Sequence, residues 1–130
     1  MELKHKHLLV RAEVLEPPKD LKVMKKWTKS LIKDIDMKIL AGPYAKYCEV
    51  KGNRGLTCVT IIETSHITLH SWDEMSPALV QLDVYSCKDF DHFLVLKELK
   101  KFNPLFLGCR FHDRAVENSQ GWEMGREGLF

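Results

Sequence analysis

Side chains that can act as nucleophiles, acids and bases are concentrated between residues 65 and 87. Ser65, His66 and His70 lie in one run, Glu74 follows that run, and Cys87 ends the next one. Hydroxyl, imidazole, carboxylate and thiol groups are the ones that form covalent intermediates and transfer protons in enzymes. The segment therefore predicts a reactive site more than a hydrophobic core.

Two runs in this segment, residues 67–72 and 79–87, alternate in the way that β-strands do. Alternate side chains of a strand share a face. The first strand has Ile67 and Leu69 on one face, and its other face carries His66, Thr68, His70 and Trp72. The second strand also has a polar face, which carries Gln81, Asp83, Tyr85 and Cys87. We expect the apolar faces to meet helices and the two polar faces to form one surface.

Histidine and cysteine are also metal ligands, but their spacing here argues against a metal site. His66 and His70 lie four residues apart on a strand, about 13 Å at ~3.3 Å per residue, which is too far to bind one ion. We therefore expect no metal. A hydrolase with a Cys87–His70 nucleophile pair is chemically conceivable, yet no oxyanion hole or orienting acid has a recognisable spacing. Taken singly, each histidine is more typical of a polar surface and Cys87 of a small buried side chain.

Taken together, the residues form a longer pattern, S-H-x-T-x-H-[ST]-W-x-E followed by a D-V-aromatic-[ST]-C strand. This pattern resembles the self-processing region of the small prokaryotic S-adenosylmethionine decarboxylases. Those enzymes convert an internal serine into a pyruvoyl cofactor. The resemblance is strong over residues 57–87 and looser towards both ends of the chain.

The resemblance implies a defined self-cleavage between Thr64 and Ser65. The Ser65 hydroxyl would attack the Thr64 carbonyl, an acyl shift would form an ester, and β-elimination would cleave the chain into residues 1–64 and 65–130. Hydrolysis would then leave a pyruvoyl group, derived from Ser65, on the new amino terminus. Such a group forms a Schiff base with an amino-acid substrate and accepts electrons as CO2 leaves.

Other functional positions of the family fall on matching residues of this chain. His70 matches the histidine that transfers protons during processing, and Thr57 falls where the family has a serine hydroxyl that assists the same step. Cys87 matches the cysteine that reprotonates the decarboxylated carbon. Glu74 matches a substrate-binding carboxylate, and Trp72 matches an aromatic residue beside it. Since family members commonly form dimers with sites near the interface, the resemblance also implies a homodimer.

The resemblance implies that the substrate is S-adenosylmethionine and that the product serves spermidine and polyamine synthesis. Two departures keep alternatives open. Lys51 stands where the family places an aromatic ring that stacks on adenine, which favours a pyruvoyl decarboxylase of arginine or ornithine. Thr64 stands where many members have glutamate. The other alternative is a relative that is not processed and that binds a ligand or regulates a partner enzyme.

The remaining pattern predicts the frame that positions these residues. We expect the order β-α-β-β-β-β-α-β, with strands at residues 7–15, 37–40, 44–50, 57–62, 67–72, 79–87 and 105–111, one of the short ones being dispensable. Asp20 is the predicted cap of a first helix whose inner stripe is Val23, Met24, Trp27, Leu31 and Ile35. Asp89 or Asp91 is the predicted cap of a second helix whose inner residues are Phe93, Leu96, Leu99 and Phe102.

This order is typical of an α+β fold. We expect a two-layer sandwich in which one antiparallel sheet is covered on one face by both helices. A single domain over residues 1–116 and a polar tail over residues 117–130 are predicted.

Composition limits the kinds of partner. Twenty Lys and Arg residues against eighteen Asp and Glu residues are too balanced to indicate a nucleic-acid partner. No apolar run approaches the ~20 residues of a membrane span, and residues 1–7 are too polar for a signal peptide. Four widely spaced cysteines without a CxxC pair favour reduced thiols. We therefore expect a cytoplasmic protein that binds neither membranes nor nucleic acids.

Overall fold

The computed structural model of the chain describes residues 2–115. Its elements are β1 (Lys6–Val14), α1 (Leu21–Asp34), β2 (Ile39–Cys48), β3 (Gly55–Ile62), β4 (Ser65–Trp72), β5 (Ala78–Ser86), α2 (His92–Leu99), a 3-10 turn (Lys100–Phe102) and β6 (Pro104–Asp113). The predicted order of strands and helices is confirmed. The predicted tail, residues 117–130, lies outside the described residues.

The six strands form one antiparallel sheet in the spatial order β2-β3-β4-β5-β1-β6. Strands β3, β4 and β5 are consecutive in the chain and adjacent in space, which confirms the predicted meander. Strand β1 is inserted between β5 and β6, so both ends of the described chain lie at the same side of the sheet. The predicted α+β sandwich is confirmed.

Helix α1 begins where predicted, because the Asp20 carboxylate accepts hydrogen bonds from two N–H groups of the first turn. Its predicted inner stripe is wrong at one position. Val23 is 61% exposed, whereas Met24 is fully buried. A 3.6-residue period aligns residue 24 with Trp27 and Leu31, and it turns residue 23 by about 100° from that line. The indole of Trp27 also donates to the Glu98 carbonyl, which ties α1 to α2.

Helix α2 is capped by Asp91, one of the two predicted residues. The prediction that Phe93 faces inward is wrong, since its side chain is 68% exposed. The helix has only eight residues, and Val95 and Leu99, four positions apart, make its buried contact. Residue 93 therefore lies on the opposite side of the helix. Within residues 2–115, neither helix combines the length and hydrophobicity that spanning a membrane requires.

Strand β2 runs through the predicted break at Gly42 and Pro43. The sequence predicted two short strands there, but the structure has one strand from Ile39 to Cys48. Its pairing with β3 shifts register between Ile39 and Ala41 and again between Ala41 and Tyr44, across this pair. Proline lacks an N–H donor and is tolerated in an edge strand, where a local irregularity need not end the ladder.

The face of the sheet opposite the helices is referred to below as the open face. It carries seven of the eight polar side chains predicted to share a surface, which are His66, Thr68, His70, Trp72, Gln81, Asp83 and Tyr85. The eighth, Cys87, follows the end of β5. The alternating residues point to the helices, and Ile67 and Leu69 are each only 1% exposed. The predicted division of β4 and β5 into a polar and an apolar face is confirmed.

Candidate active site

Ser65 is the first residue of β4 and has an unusual backbone conformation. Strand β3 ends at Ile62, so Glu63 and Thr64 alone form the turn between the two strands. The φ angle of Ser65 is 143°, in a region that residues with a side chain rarely adopt. Such conformations cost about 1–3 kcal/mol and persist only where the surrounding structure enforces them. Backbone strain therefore coincides with the residue predicted to be processed.

Thr64, the residue before Ser65, is held through both its backbone and its side chain. Its carbonyl accepts a hydrogen bond from the Cys87 N–H at 2.8 Å. Its hydroxyl accepts from Ser86 Oγ at 3.0 Å and donates to Met37 Sδ at 3.1 Å. Thr64 is only 6% exposed. The carbonyl at the predicted cleavage site is consequently fixed and polarised by a backbone donor.

Cys87 follows directly after β5 and lies at the same corner of the sheet. Its N–H contacts the Thr64 carbonyl, and its own carbonyl accepts from the Lys4 N–H at 2.7 Å. The preceding residue, Ser86, pairs with Ser65 in the β4–β5 ladder. The structure thus brings Cys87 beside the consecutive residues Thr64 and Ser65. These three residues are called the cleavage corner below.

Thr57 and His70, predicted to assist processing, are also brought together. They face each other across the β3–β4 ladder, and Thr57 Oγ1 lies 2.9 Å from His70 Nδ1. Their position along the sheet is different, however. His70 is five residues beyond Ser65 on β4, about 17 Å at ~3.4 Å per residue. Within one chain, His70 therefore does not reach the cleavage corner.

Trp72 and Glu74, predicted to bind substrate, lie at the His70 end of β4. The Glu74 carboxylate accepts from the N–H groups of Gly52 and Arg54 at 3.2 and 3.0 Å. These two donors lower the pKa of Glu74. The Trp72 indole donates to Asn53 Oδ1 at 2.9 Å. Both residues thus hold the turn at residues 51–54.

The resemblance implies an aromatic ring at position 51, where this chain has Lys51. Tyr47, four positions earlier, does not supply that ring. Lys51 is exposed in the turn. Tyr47 packs against the core on the helix-covered side, and its hydroxyl donates to Asp73 Oδ1 at 2.7 Å. This bond to a carboxylate raises the pKa of Tyr47 to about 12. Tyr47 therefore presents no ring to the open face, where Trp72 lies 5.9 Å from the His70 ring.

A histidine cluster on the open face was not predicted as a site. The Asp83 carboxylate contacts His7 Nε2, and His66 Nε2 lies 3.9 Å from the same oxygen. The neighbouring Tyr85 hydroxyl lies 3.0 Å from His5 Nδ1. Alternation placed Asp83, Tyr85 and His66 on one face, but only the pairing of β1 with β5 adds the other two histidines. Within residues 2–115, no group of three or more His, Cys, Asp or Glu side chains is arranged to hold a metal ion.

Comparison with known proteins gives a consistent result. A family model described as S-adenosylmethionine decarboxylase matches residues 6–105. Proteins named S-adenosylmethionine decarboxylase proenzyme from Clostridium botulinum strains Langeland and Hall are 34% identical over 74 residues. That match spans 56% of this chain and 59% of the length of each relative.

A solved structure shares the fold. The crystal structure of the adenosylmethionine decarboxylase from Aquifex aeolicus VF5 superimposes with a TM-score of 0.69 over 97% of this chain and 100% of the other, at 19% sequence identity. The sheet and both helices are thus a known arrangement. Since the family model covers most of the sequence, this chain belongs to the S-adenosylmethionine decarboxylase family.

Proposed function

We propose that this chain is a pyruvoyl-dependent decarboxylase of S-adenosylmethionine that activates itself by cleavage between Thr64 and Ser65. The observation that carries the proposal is the geometry of the cleavage corner. A buried carbonyl there accepts the Cys87 N–H at 2.8 Å, beside a serine with a φ angle of 143°. The proenzyme name of the curated relatives supports activation by cleavage.

The first step is an acyl shift at the Thr64 carbonyl. Ser65 Oγ attacks the carbonyl carbon, the bond to the Ser65 nitrogen breaks, and that nitrogen takes a proton to become an amine. The carbonyl oxygen gains negative charge during the attack, and the Cys87 N–H already points at it. A preorganised donor of this kind stabilises the transition state. Opening the amide also releases the strained φ torsion of Ser65, which favours the ester.

The second step is a β-elimination. A base removes the Ser65 Cα proton, the Cβ–O bond breaks, and residues 1–64 leave with a Thr64 carboxylate. Water then displaces ammonia from the dehydroalanine at position 65, which yields the pyruvoyl group. Cys87 remains at this terminus because the residue before it, Ser86, pairs with Ser65 in the β4–β5 ladder, and both belong to the fragment 65–130. Its thiol is therefore the proposed proton donor to the decarboxylated carbon. The pyruvoyl carbonyl would supply the electron acceptor for loss of CO2.

The distance between the two groups of site residues supports a homodimer. About 17 Å of strand separates His70 from Ser65 in one chain, too far for proton transfer. The open face could meet the same face of a second copy, which would bring Thr57 and His70 of one copy to the cleavage corner of the other. Partly exposed apolar side chains on this face favour such contact, namely Leu9, Val59, Ile61 and Phe106. A groove of about 650 Å³ also crosses it.

The family supports S-adenosylmethionine as substrate, with the decarboxylated product entering spermidine synthesis. Trp72 and Glu74 are the proposed substrate contacts, and in a homodimer they would accompany His70 towards the partner's Ser65. One observation favours a second candidate. Lys51 offers no ring for adenine, and neither does Tyr47, so arginine or ornithine is the alternative substrate.

The mass of the intact protein under denaturing conditions tests the proposal. We expect two fragments, residues 1–64 and residues 65–130 with an amino-terminal pyruvoyl group, and a single mass for the Ser65→Ala variant. Release of labelled CO2 from S-adenosylmethionine, arginine and ornithine then identifies the substrate. A full-length mass that persists on incubation, with no CO2 from any of the three, would instead support a binding or regulatory relative that is not processed.

A further inference from the structure

Two buried hydroxyl groups form a directed chain of hydrogen bonds beside the cleavage corner. Ser86 is fully buried, and its Oγ donates to Thr64 Oγ1 at 3.0 Å. Thr64 Oγ1 donates in turn to Met37 Sδ at 3.1 Å. Ser86 Oγ also accepts from the Lys88 N–H at 2.9 Å. Ser86 Oγ also lies 3.8 Å from Met37 Sδ, so its donation to Thr64 Oγ1 is the shorter of the two.

These hydrogen bonds fix the side chain of Thr64, the residue whose carbonyl is to be attacked. The Thr64 hydroxyl is held by Ser86 Oγ, and the Thr64 carbonyl is held by the N–H of Cys87, the residue that follows Ser86. Consecutive residues at the end of β5 therefore hold Thr64 at two points. A displacement of Thr64 as a whole would disturb both bonds together. Holding reacting atoms in place in this way supplies a large part of many catalytic rates, and a shift of about 1 Å costs roughly 10²-fold.

We propose that Ser86 is a positioning residue for self-cleavage, acting through the Thr64 hydroxyl to keep the Thr64 carbonyl aligned for attack by Ser65. The inference rests on the proposed self-cleavage. Burying hydroxyl groups is unfavourable unless they are paired, and an apolar residue at either position would fill the corner without that cost. The pair instead specifies one orientation of Thr64, which an apolar contact would not do.

The rate of cleavage of freshly synthesised precursor tests this role. Precursor from cell-free synthesis is followed by intact mass, and hydroxylamine cleaves any ester that has formed. We expect Ser86→Ala and Thr64→Val each to slow ester formation by about 10- to 100-fold. Because both changes remove the same interaction, the double variant is expected to be hardly slower than either single variant. Thr64→Ser retains the hydroxyl and is expected to cleave much faster than Thr64→Val.

Stability is measured separately, in the uncleavable Ser65→Ala background, so that folding and cleavage are not confused. Thr28→Val is the matched control, since it removes a buried hydroxyl that bonds to the Met24 carbonyl in α1 and contacts Cys58 Sγ, away from the cleavage corner. It is expected to lower the melting temperature without slowing cleavage.

The outcomes distinguish the proposed self-cleavage from the proposed role of Ser86. A parent chain that never cleaves overturns the proposed function and this inference with it. A parent that cleaves while Ser86→Ala and Thr64→Val match its rate overturns the inference alone. The inference is also overturned if Thr64→Ser is as slow as Thr64→Val, because side-chain shape rather than the hydroxyl would then matter.

Discussion

At the scale of single residues, Ser65 combines a reactive hydroxyl with a backbone conformation that favours glycine. The φ angle of 143° is imposed by its surroundings, since Ser65 pairs with Ile62 on one side and with Ser86 on the other. A serine retained at such a position carries a cost in folding free energy. That cost is explained if the hydroxyl is needed for the acyl shift and the strain is released by it.

Comparison of two uncleavable variants tests the strain directly. Ser65→Gly adopts the native φ angle without steric cost, whereas Ser65→Ala retains a Cβ. We expect Ser65→Gly to be more stable by about 1 kcal/mol, because relief of about 1–3 kcal/mol of strain exceeds the 0.5–1 kcal/mol entropic cost of glycine. Urea denaturation of the two variants measures the difference. If Ser65→Ala is instead the more stable variant by about 0.5–1 kcal/mol, the entropic cost of glycine alone, the backbone at this residue is not strained.

At the scale of elements, the end of β4 and the turn at residues 51–54 form one unit. Gly55 allows their close approach, since a Cβ at that position would lie 1.7 Å from the Ser71 carbonyl oxygen. Trp72 and Glu74 then bond to the turn through Asn53, Gly52 and Arg54. In a single chain, the Glu74 carboxylate, which is predicted to bind substrate, is thus already hydrogen-bonded to the turn. A substrate would therefore bind beside Glu74 and Trp72 with these hydrogen bonds intact, or it would replace one of them.

The lowered pKa of Glu74 gives this unit a pH dependence with a defined sign. A carboxylate whose folded pKa is below its unfolded value stabilises the protein above the ordinary pKa of about 4.3, and the contribution is lost as the pH falls through the lower folded pKa. Glu74→Gln is therefore expected to be less stable than the parent at pH 7 and to approach it on acidification. Urea midpoints between pH 7 and pH 3 measure this convergence. A stability difference that stayed constant with pH would contradict it.

At the scale of the whole molecule, the sandwich leaves one face of its sheet without helices and divides the site residues between two ends of that face. The cleavage corner lies where β4 begins, and Thr57 and His70 lie towards its other end. A single copy therefore contains all the predicted site residues, but it does not bring them together into one site. Two copies meeting at the open face would assemble two.

Mixing two defective variants tests this arrangement. Ser65→Ala lacks the attacking hydroxyl, and His70→Ala lacks the imidazole, so each is expected to remain uncleaved alone. If the site is built from two chains, a mixed dimer has one intact pair, and the His70→Ala chain is expected to be cleaved when both are co-expressed. Intact mass identifies which chain was cut. A mixture that stays uncleaved although a mixed dimer forms would assign both residues to a site within one chain.

The sequence by itself determined the elements and their faces, because both are local properties. Alternation along β4 and β5 correctly separated Ile67 and Leu69 from His66 and His70, and the carboxylate at position 20 correctly marked the start of α1. The errors were also local. The predictions that Val23 and Phe93 face inward are wrong. An apolar residue at roughly helical spacing does not by itself show which side of the helix packs against the rest of the protein.

Only the tertiary structure decided which residues became partners. The place of β1 beside β5 brought His7 to Asp83, and the end of β5 brought Ser86 and Cys87 to Thr64. Strand order and register depend on contacts between residues far apart in the chain, which no local pattern encodes.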